Sequence, residues 1–399
     1  MTGLFAIDGG AVRAVGAILP DYIPRVTLHF QPLRATLIGV ALTACGGPEP
    51  PAPVVQLPAA TDSVDSPYAE VPDGVWLGAG RWAVVAPLDV VVGVVEPAAG
   101  TVMPLGGAAA GKELRNPSTI FRAGDSLYVG DWGVRRTTLW TLEGRLVRAI
   151  PALDAARGAL PRGRDAQGRY YYELMPPPGP DGSGNRDSAA VIRAGPGGQD
   201  VDTIARLAPL DVAEVMGDAG RRFERRVFSG NDRWGVLSDG SLWVARVYEN
   251  RVDWRDPDGD WTRGEALPDR VLEVTRYDRE VFLRRFPPEL RATAEQLPFA
   301  PVKPPFEAGF TASSGEVWLE KSRAPADSTR RYHVVDREGQ LLRDVRVPGA
   351  GRIVALGADA ALVAERMTEG TRFRRFPIPP GPADKMSLSA RDGSALPSR

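Results

Sequence analysis

The sequence is poor in several residue types on which specific protein chemistry depends. Cysteine occurs once, at Cys45, histidine twice and lysine only four times among 399 residues. A single cysteine excludes an intrachain disulfide. His333 is the only histidine beyond the N-terminal segment, so no Cys/His zinc site can form around it, and we expect a structural role for it within a strand. The net charge of −1 does not favour binding to nucleic acid.

The N-terminal segment also lacks a long hydrophobic run. The apolar stretch from Leu37 to Leu42 is shorter than the roughly 20 residues of a membrane-spanning helix. Arg34 precedes this stretch and small residues follow it, which is the pattern of a secretory signal.

The four residues Leu42-Thr43-Ala44-Cys45 resemble the lipobox of bacterial lipoproteins. The resemblance implies that residues 1–44 are a signal peptide and that Cys45 is lipidated and becomes the mature N-terminus. It further implies anchorage in the bacterial outer membrane, because glycine and not aspartate follows the cysteine. Residues 1–44 are long for such a signal, and a start at Val26 would give an ordinary length. The alternative for a lone cysteine is burial in a core.

The residues that follow are rich in proline, and we expect 45–72 to be a flexible tether. Beyond it, one short β-rich pattern recurs six times, each time after a Gly or Asp turn. Aligned copies are centred on Ala83, Tyr128, Tyr171, Trp243, Trp318 and Val363. Three of the steps are near 45 residues, a period typical of propeller blades.

Each copy except the last precedes a second hairpin with a glycine turn, so each unit supplies about four strands. The fold class is therefore predicted to be all-β, a six-bladed β-propeller over 73–378 with a polar tail at 379–399. The sixth unit lacks a clear outer strand, which the segment around Val75 could supply. Two insertions, 208–228 and 277–299, have helical spacing.

The stretches "GKELRNPSTIFRAGDSLYVGDWGVRRTTLW" and "WGVLSDGSLWVARVYENRVDWRDPDGD" resemble the NHL-like six-bladed propellers of bacterial secreted lipoproteins. The resemblance covers about 73–378. It implies a fold and no particular function, because propellers host many unrelated activities.

Two motifs come close to ligand-binding loops. Gly106, Gly111 and Lys112 have the spacing of a phosphate-binding loop, but glutamate replaces the required Ser/Thr and a strand follows. We interpret this stretch as the connection between two blades. Asp256 and Asp258 belong to a calcium-loop-like segment that has tryptophan at its first position, so we predict a hairpin turn that binds no metal.

Loops that join strand four to strand one, and strand two to strand three, should meet at one end of the propeller channel. The candidate ligand-binding residues at this channel mouth are Asp131, Asp165, Arg246, Glu320, Arg352 and Glu365. A ring of mixed charge is a plausible polar-ligand site, although charged rims also keep loops soluble.

Two classes of function remain. The first is a lipid-anchored, non-catalytic module without cofactor that binds an envelope protein or a polar small ligand. The second is a hydrolase resembling the calcium-dependent lactonases, with the metal held by Asn116, Asn231, Asp232 and Glu307. No catalytic pair is demanded by the sequence, so the binding module ranks first. We expect that an arginine pairs with Glu307 and that the metal ligands do not converge.

Overall fold

The chain is almost entirely β-sheet in the part that the structure, a computed structural model, describes: residues 51–107, 114–174, 189–217 and 220–379. The strands form seven sheets. Two short α-helices complete the fold, together with 3₁₀ turns at 97–99 and 154–156. Within the same ranges, no helix is long and apolar enough to cross a membrane.

The first half of the described chain consists of two N-terminal strands followed by three antiparallel four-stranded meanders. The N-terminal strands are β1 (Val54–Gln56) and β2 (Asp62–Ser66). The first sheet contains β3 (Asp73–Gly78), β4 (Arg81–Ala86), β5 (Val91–Glu96) and β6 (Thr101–Gly107). The second contains β7 (Pro117–Ala123), β8 (Ser126–Asp131), β9 (Arg136–Thr141) and β10 (Leu146–Pro151). The third contains β11 (Pro161–Arg164), β12 (Tyr170–Leu174), β13 (Ala190–Ala194) and β14 (Asp202–Arg206).

A separate hairpin and three further meanders form the second half. The hairpin is β15 (Val212–Gly217) with β16 (Gly220–Arg225). The fourth sheet contains β17 (Arg233–Val236), β18 (Leu242–Arg246), β19 (Arg251–Arg255) and β20 (Trp261–Thr262). The fifth contains β21 (Phe306–Thr311), β22 (Val317–Lys321), β23 (Arg330–Val335) and β24 (Leu341–Val347). The sixth contains β25 (Arg352–Leu356), β26 (Ala360–Arg366) and β27 (Thr371–Pro377).

The first strands of these six meanders form a closed series. Strand β3 contacts β7, β7 contacts β11, β11 contacts β17, β17 contacts β21, β21 contacts β25, and β25 returns to β3. Radial repetition of small antiparallel sheets around a centre is the architecture of a β-propeller. The predicted all-β class and its four-stranded sheets are confirmed, although one sheet more than the predicted six is present because 212–225 forms its own hairpin.

The core lies between adjacent sheets. Tyr128, Tyr171, Trp243 and Trp318 lie on the second strands of their sheets, are at most 3% exposed and pack against the sheet that follows. This confirms their predicted equivalence. Val363 does not fit the series, because it packs against the preceding sheet. A shift of one residue along a strand moves a side chain to the opposite face, so the equivalent position in the sixth sheet is one residue away from Val363.

The N-terminal strands complete the sheets at which the ring closes. Strand β1 pairs in parallel with β24, and β2 is the outer strand of the sixth sheet through its antiparallel pairing with β27. The prediction that the segment around Val75 supplies this outer strand is wrong, because Val75 lies in the innermost strand of the first sheet. The predicted flexible tether therefore does not extend to residue 72. Leu57, Tyr68 and Val71 are all buried between sheets.

The two insertions differ from each other. Residues 277–299 contain the predicted helices, α1 (Arg276–Leu283), which begins with a capping box at Thr275, and α2 (Pro288–Glu295). Residues 208–228 form a β-hairpin instead of a helix, and the run "RRFERR" lies mostly on its second strand. The apolar spacing of this segment is helical, but its residues pair across two strands, so strand pairing outweighs the local helical pattern. The insertions pack together through a cluster of phenylalanine rings at Phe228, Phe282, Phe286 and Phe299.

Candidate functional site

A cavity of about 550 Å³ lies where the six innermost strands meet. Each strand contributes one polar residue from its first or second position. In the order of the ring these are Asp73, Ser118, Arg162, Arg233, Glu307 and Arg352. Thr119 and the apolar side chains of Ile120, Trp234 and Phe310 also line it. We call this space the channel cavity, and its size suits a small organic ligand.

Bulges place three of these side chains in the channel cavity. The pairing of β7 with β8 skips Ser118, that of β11 with β12 skips Arg162, and that of β21 with β22 skips Glu307. A bulge leaves one residue unpaired and redirects its side chain, and bulges are common next to binding sites.

Two of the three channel arginines are held by carboxylates of second strands. Glu173 accepts a hydrogen bond from Arg162 at 2.5 Å and one from the indole of Trp234 at 2.9 Å. Glu320, which is fully buried, accepts a bond from Arg352 at 2.9 Å and another from Arg330. Glu173 compensates the charge of Arg162, Glu320 shares its single charge between Arg330 and Arg352, and both carboxylates fix the position of the channel arginines.

Arg233 differs from the other two. Its guanidinium donates at 2.5 Å to the main-chain carbonyl of Glu307, and no carboxylate in the described ranges lies within 4 Å of it. Burial and the nearby charge of Arg162 lower the pKa of Arg233. An arginine is charged at any physiological pH, so Arg233 brings an uncompensated cation to the channel cavity.

Two carboxylates in the channel cavity also lack a cationic partner within 4 Å among the described residues: Asp73 and Glu307. Desolvation raises the pKa of Asp73 to about 6, although the more distant charges of Arg162 and Arg352 act in the opposite direction. Desolvation, with a smaller contribution from Glu320, raises the pKa of Glu307. The expectation that an arginine pairs with the Glu307 side chain is therefore wrong.

Several buried polar atoms around the channel cavity have no hydrogen-bond partner among the described residues. They are the hydroxyls of Ser118 and Thr119 and the Nε atoms of Arg233 and Arg352. Buried polar groups are nearly always paired with protein, water or ligand. The wall of the channel cavity is therefore polar, which suits polar contents such as water or a polar ligand.

Of the residues predicted at the channel mouth, only Arg352 lines the channel cavity, and Glu320 lies behind it as its partner. Asp131 is fully buried and accepts bonds from the main-chain N–H groups of residues 115, 116 and 133, so it organises a loop. Asp165 lies after β11, at the opposite end of its strand, and binds Arg169 and Tyr171. Its predicted position at the mouth is wrong.

Arg246 and Glu365 are engaged in ion pairs away from the channel cavity. Arg246 bridges Asp232 at 3.1 Å and Asp253 at 3.0 Å, and Glu365 pairs with Arg374 at 3.1 Å. Both contacts join neighbouring strands or loops, so these residues stabilise the sheets.

The four residues of the alternative calcium set do not line a common space. Only Glu307 lines the channel cavity. Asp232 is occupied by Arg246 and by the main-chain N–H groups of residues 208 and 247. Asn116 is held in its loop by hydrogen bonds of its main chain, and the side-chain oxygen of Asn231 is buried without a partner. Within the described ranges, no cluster of three or more His, Cys, Asp or Glu side chains could hold a metal ion.

The remaining sequence motifs have structural roles where the structure describes them. His333 is 2% exposed in β23, and burial lowers its pKa to about 4, as expected for a structural histidine. Asp256 caps the predicted turn between β19 and β20 by accepting bonds from Gly259 and Asp260. The stretch containing Lys112 connects β6 to β7 as predicted, with 108–113 themselves outside the described residues. Cys45 and residues 1–44 lie outside them as well.

Sequence reasoning missed Asp73, Ser118, Arg162 and Arg233. Each lies at the start of an innermost strand, but only Ser118 and Arg233 follow closely on residues named from the sequence, Asn116 and Asp232. The available signal was the strand start itself, but bulges are not visible in a sequence pattern, so the side chains that face the channel could not be selected.

Comparison with known proteins gives only distant similarities. No protein-family model and no curated protein matches the chain. A calcium-binding protein, regucalcin, from Agrobacterium tumefaciens is 10% identical, with a TM-score of 0.43 over 83% of this chain and 98% of that one. A member of the DUF4221 family from Bacteroides vulgatus is 9% identical, with a TM-score of 0.45 over 80% and 97%. Virginiamycin B lyase from Staphylococcus aureus is 9% identical, with a TM-score of 0.41 over 79% and 98%.

Proposed function

We propose that this protein is a lipid-anchored, non-catalytic binding module of the bacterial cell envelope that takes a small polar ligand into its central channel. The observation that carries the proposal is the channel cavity of about 550 Å³, lined by Asp73, Arg233 and Glu307, none of which has an oppositely charged side chain within 4 Å in the described ranges. A cavity of this size with a few convergent polar groups and apolar walls is typical of ligand sites.

The proposal includes a six-bladed propeller of the NHL-like lipoprotein type. The closed order of the six innermost strands supports six blades, with the hairpin 212–225 as an insertion and not a blade. The repeat pattern supports the NHL-like type, since each unit repeats the Gly or Asp turn and the β-rich second strand, which carries an aromatic residue at the aligned position in four of the six units.

The proposed anchor is Cys45, acylated after removal of residues 1–44, with the propeller attached to the outer membrane. The lipobox-like sequence Leu42-Thr43-Ala44-Cys45 supports it. Mass spectrometry of the membrane fraction should find an acylated Cys45 at the N-terminus. A soluble product with a free thiol at Cys45 would refute the lipid anchor. The proposal that the channel cavity binds a ligand would be unaffected.

A calcium-dependent hydrolase is the second candidate, because Glu307 lines the channel cavity without a cationic partner within the described residues. Of the four residues predicted to hold the metal only Glu307 lines this cavity, and the uncompensated charge of Arg233 opposes a divalent cation there. For this reason the binding module ranks first.

The proposed binding function is tested by thermal unfolding in the presence of polar small molecules: sugars, carboxylates, amino acids and phosphates. A ligand that binds only the folded state at 100 times its Kd adds about 2.7 kcal/mol. We expect at least one class to raise the melting temperature of the wild type, and Arg233→Met to abolish the rise. Arg145→Met, in an exposed turn, is the matched control and should retain it. A rise that persists in Arg233→Met, or no rise with any class, would refute channel binding.

A further inference from the structure

Within the described residues, the channel cavity has charged groups of both signs without an oppositely charged partner. Arg162 is paired with Glu173, whereas the single carboxylate of Glu320 is shared by Arg352 and Arg330. What remains is one guanidinium, Arg233, and the carboxylates of Asp73 and Glu307, none of which has an oppositely charged side chain within 4 Å in the described ranges.

The guanidinium of Arg233 suits a carboxylate. Its plane presents a fork of N–H donors that matches the two oxygens of a carboxylate. One N–H already binds the carbonyl of Glu307, and its Nε is buried without a partner. Ser118, whose hydroxyl has no partner among the described residues, lies at a bulge in the same wall.

Asp73 and Glu307 suit a cation that donates hydrogen bonds. Both side chains line the channel cavity, and their only charged neighbours at contact distance would have to come from a bound molecule. An ammonium group carries three donors and a full charge, which a buried carboxylate needs to offset its loss of hydration.

The wall of the channel cavity is partly apolar. Trp234, Phe310 and Ile120 line it beside the charged residues, and the indole of Trp234 is fixed by its bond to Glu173. Such a wall accommodates a hydrocarbon side chain and excludes part of the water that would weaken the charge contacts.

We propose that the channel cavity binds a small zwitterion, a molecule of the amino-acid class whose carboxylate contacts Arg233 and whose ammonium group lies between Asp73 and Glu307. The inference rests on the proposed binding function and narrows it to one chemical class. The four guanidiniums and four carboxylates in and behind the cavity already sum to zero, so a zwitterion can pair the uncompensated groups of both signs without adding net charge, whereas a simple anion or a simple cation pairs groups of one sign only.

The test uses matched trios of probes on the purified full-length protein. Each trio contains an amino acid, the acid lacking its ammonium group and the amine lacking its carboxylate. The trios are alanine, propanoate and ethylamine; leucine, 4-methylpentanoate and 3-methylbutylamine; and phenylalanine, 3-phenylpropanoate and 2-phenylethylamine. Calorimetric titration should show, in at least one trio, that the amino acid binds at least about tenfold more tightly than both partial analogues, a difference of about 1.4 kcal/mol.

Variants assign the two ends of the ligand. Arg233→Met should reduce binding of the amino acid to the level of the amine, and Asp73→Asn with Glu307→Gln should reduce it to the level of the acid. Arg145→Met is the control and should change nothing. The comparison of probes on the wild type stands even where a variant fails to fold.

Two outcomes would overturn the inference. Equal binding of the acid and the amino acid in every trio would show a simple anion site, and the proposed binding function would survive. Absence of binding by all nine probes would also reject the zwitterion, and the wider screen of polar ligands then decides separately whether the channel binds anything.

Discussion

Glu173 and Glu320 occupy the same position in two different sheets. Each lies two residues after the buried aromatic of its second strand, and each accepts a hydrogen bond from the innermost strand of the sheet that follows. The bond from Trp234 to Glu173 measures 2.9 Å, and so does that from Arg352 to Glu320. The repeat that builds the core between sheets therefore also fixes part of the channel wall.

Removal of Glu320 should destabilise the protein strongly. Glu320 is fully buried and holds both Arg330 and Arg352, so Glu320→Ala leaves two guanidiniums without their counterion. Loss of one member of a buried ion pair costs about 3–5 kcal/mol. Urea unfolding should show a loss of this size, whereas Glu338→Ala, in an exposed turn, should change stability by less than about 0.5 kcal/mol. Equal effects would mean that the pair contributes nothing.

Truncation of Trp243 should open a cavity between the fourth and fifth sheets. The ring is 1% exposed, and its N–H donates to the hydroxyl of Thr311 at 2.8 Å. Trp243→Ala should therefore lower the free energy of unfolding by about 3–5 kcal/mol. Trp261 is 43% exposed, so Trp261→Ala should cost less than about 1 kcal/mol. A small loss for Trp243→Ala in chemical denaturation would contradict the packing described.

Asp73 should make the protein less stable as pH rises through the range from about 4 to 6. The pKa of Asp73 is raised to about 6 in the folded state from its ordinary value of 3.8, so the folded state binds more protons than the unfolded state between these values. Stability then falls with rising pH, by about 1–3 kcal/mol in total. Arg162, Arg233 and Arg352 line the same cavity and keep their charges over this pH range. Glu307 also lines it, and it titrates both in the wild type and in the variant Asp73→Asn.

Asp73→Asn removes this loss. The variant should be more stable than the wild type at pH 8 and equal to it at pH 3.5, and the difference should grow between these limits. Denaturation curves at a series of pH values measure it. A difference that does not depend on pH would show that Asp73 titrates normally.

The N-terminal strands should be required for a stable ring. A chain that begins at residue 67 lacks β1 and β2 and exposes the outer edges of β24 and β27. Unpaired edges recruit other chains, so we expect a lower melting temperature and association in size-exclusion chromatography. A chain that begins at residue 52 keeps both strands and is the control. A monomeric, equally stable protein without residues 51–66 would show that β1 and β2 are not needed for the stability of the ring.

Calcium should leave the melting temperature unchanged. Calcium takes six to eight oxygen ligands, and of the four residues predicted to supply them only Glu307 lines the channel cavity. A rise in melting temperature with millimolar calcium that Glu307→Gln abolishes would favour the hydrolase over the binding module. Magnesium at the same concentration is the control for a nonspecific effect of ionic strength.

The sequence predicted the large features of the fold because the repeat carries them. An aromatic residue about three positions after a Gly or Asp turn, such as Tyr171 or Trp318, marks the second strand in four of the six meanders. The candidate site was harder to predict. Charged residues near the ends of strands, such as Asp131 and Arg246, look alike in sequence whether they bind a loop or line a channel. The bulges that direct Arg162 and Glu307 into the channel are not visible in the sequence pattern.

The path of the N-terminal segment has a consequence for the order of folding. The first five meanders need only contacts between neighbouring parts of the chain, but the hydroxyl of Thr371 bonds to the carbonyl of Tyr68 across 303 residues of sequence. Pairings of such long range form slowly. The outer edge of β27 thus stays open until both β2 and β27 have been released by the machinery that makes the chain. During this interval a partly folded chain is most exposed to aggregation.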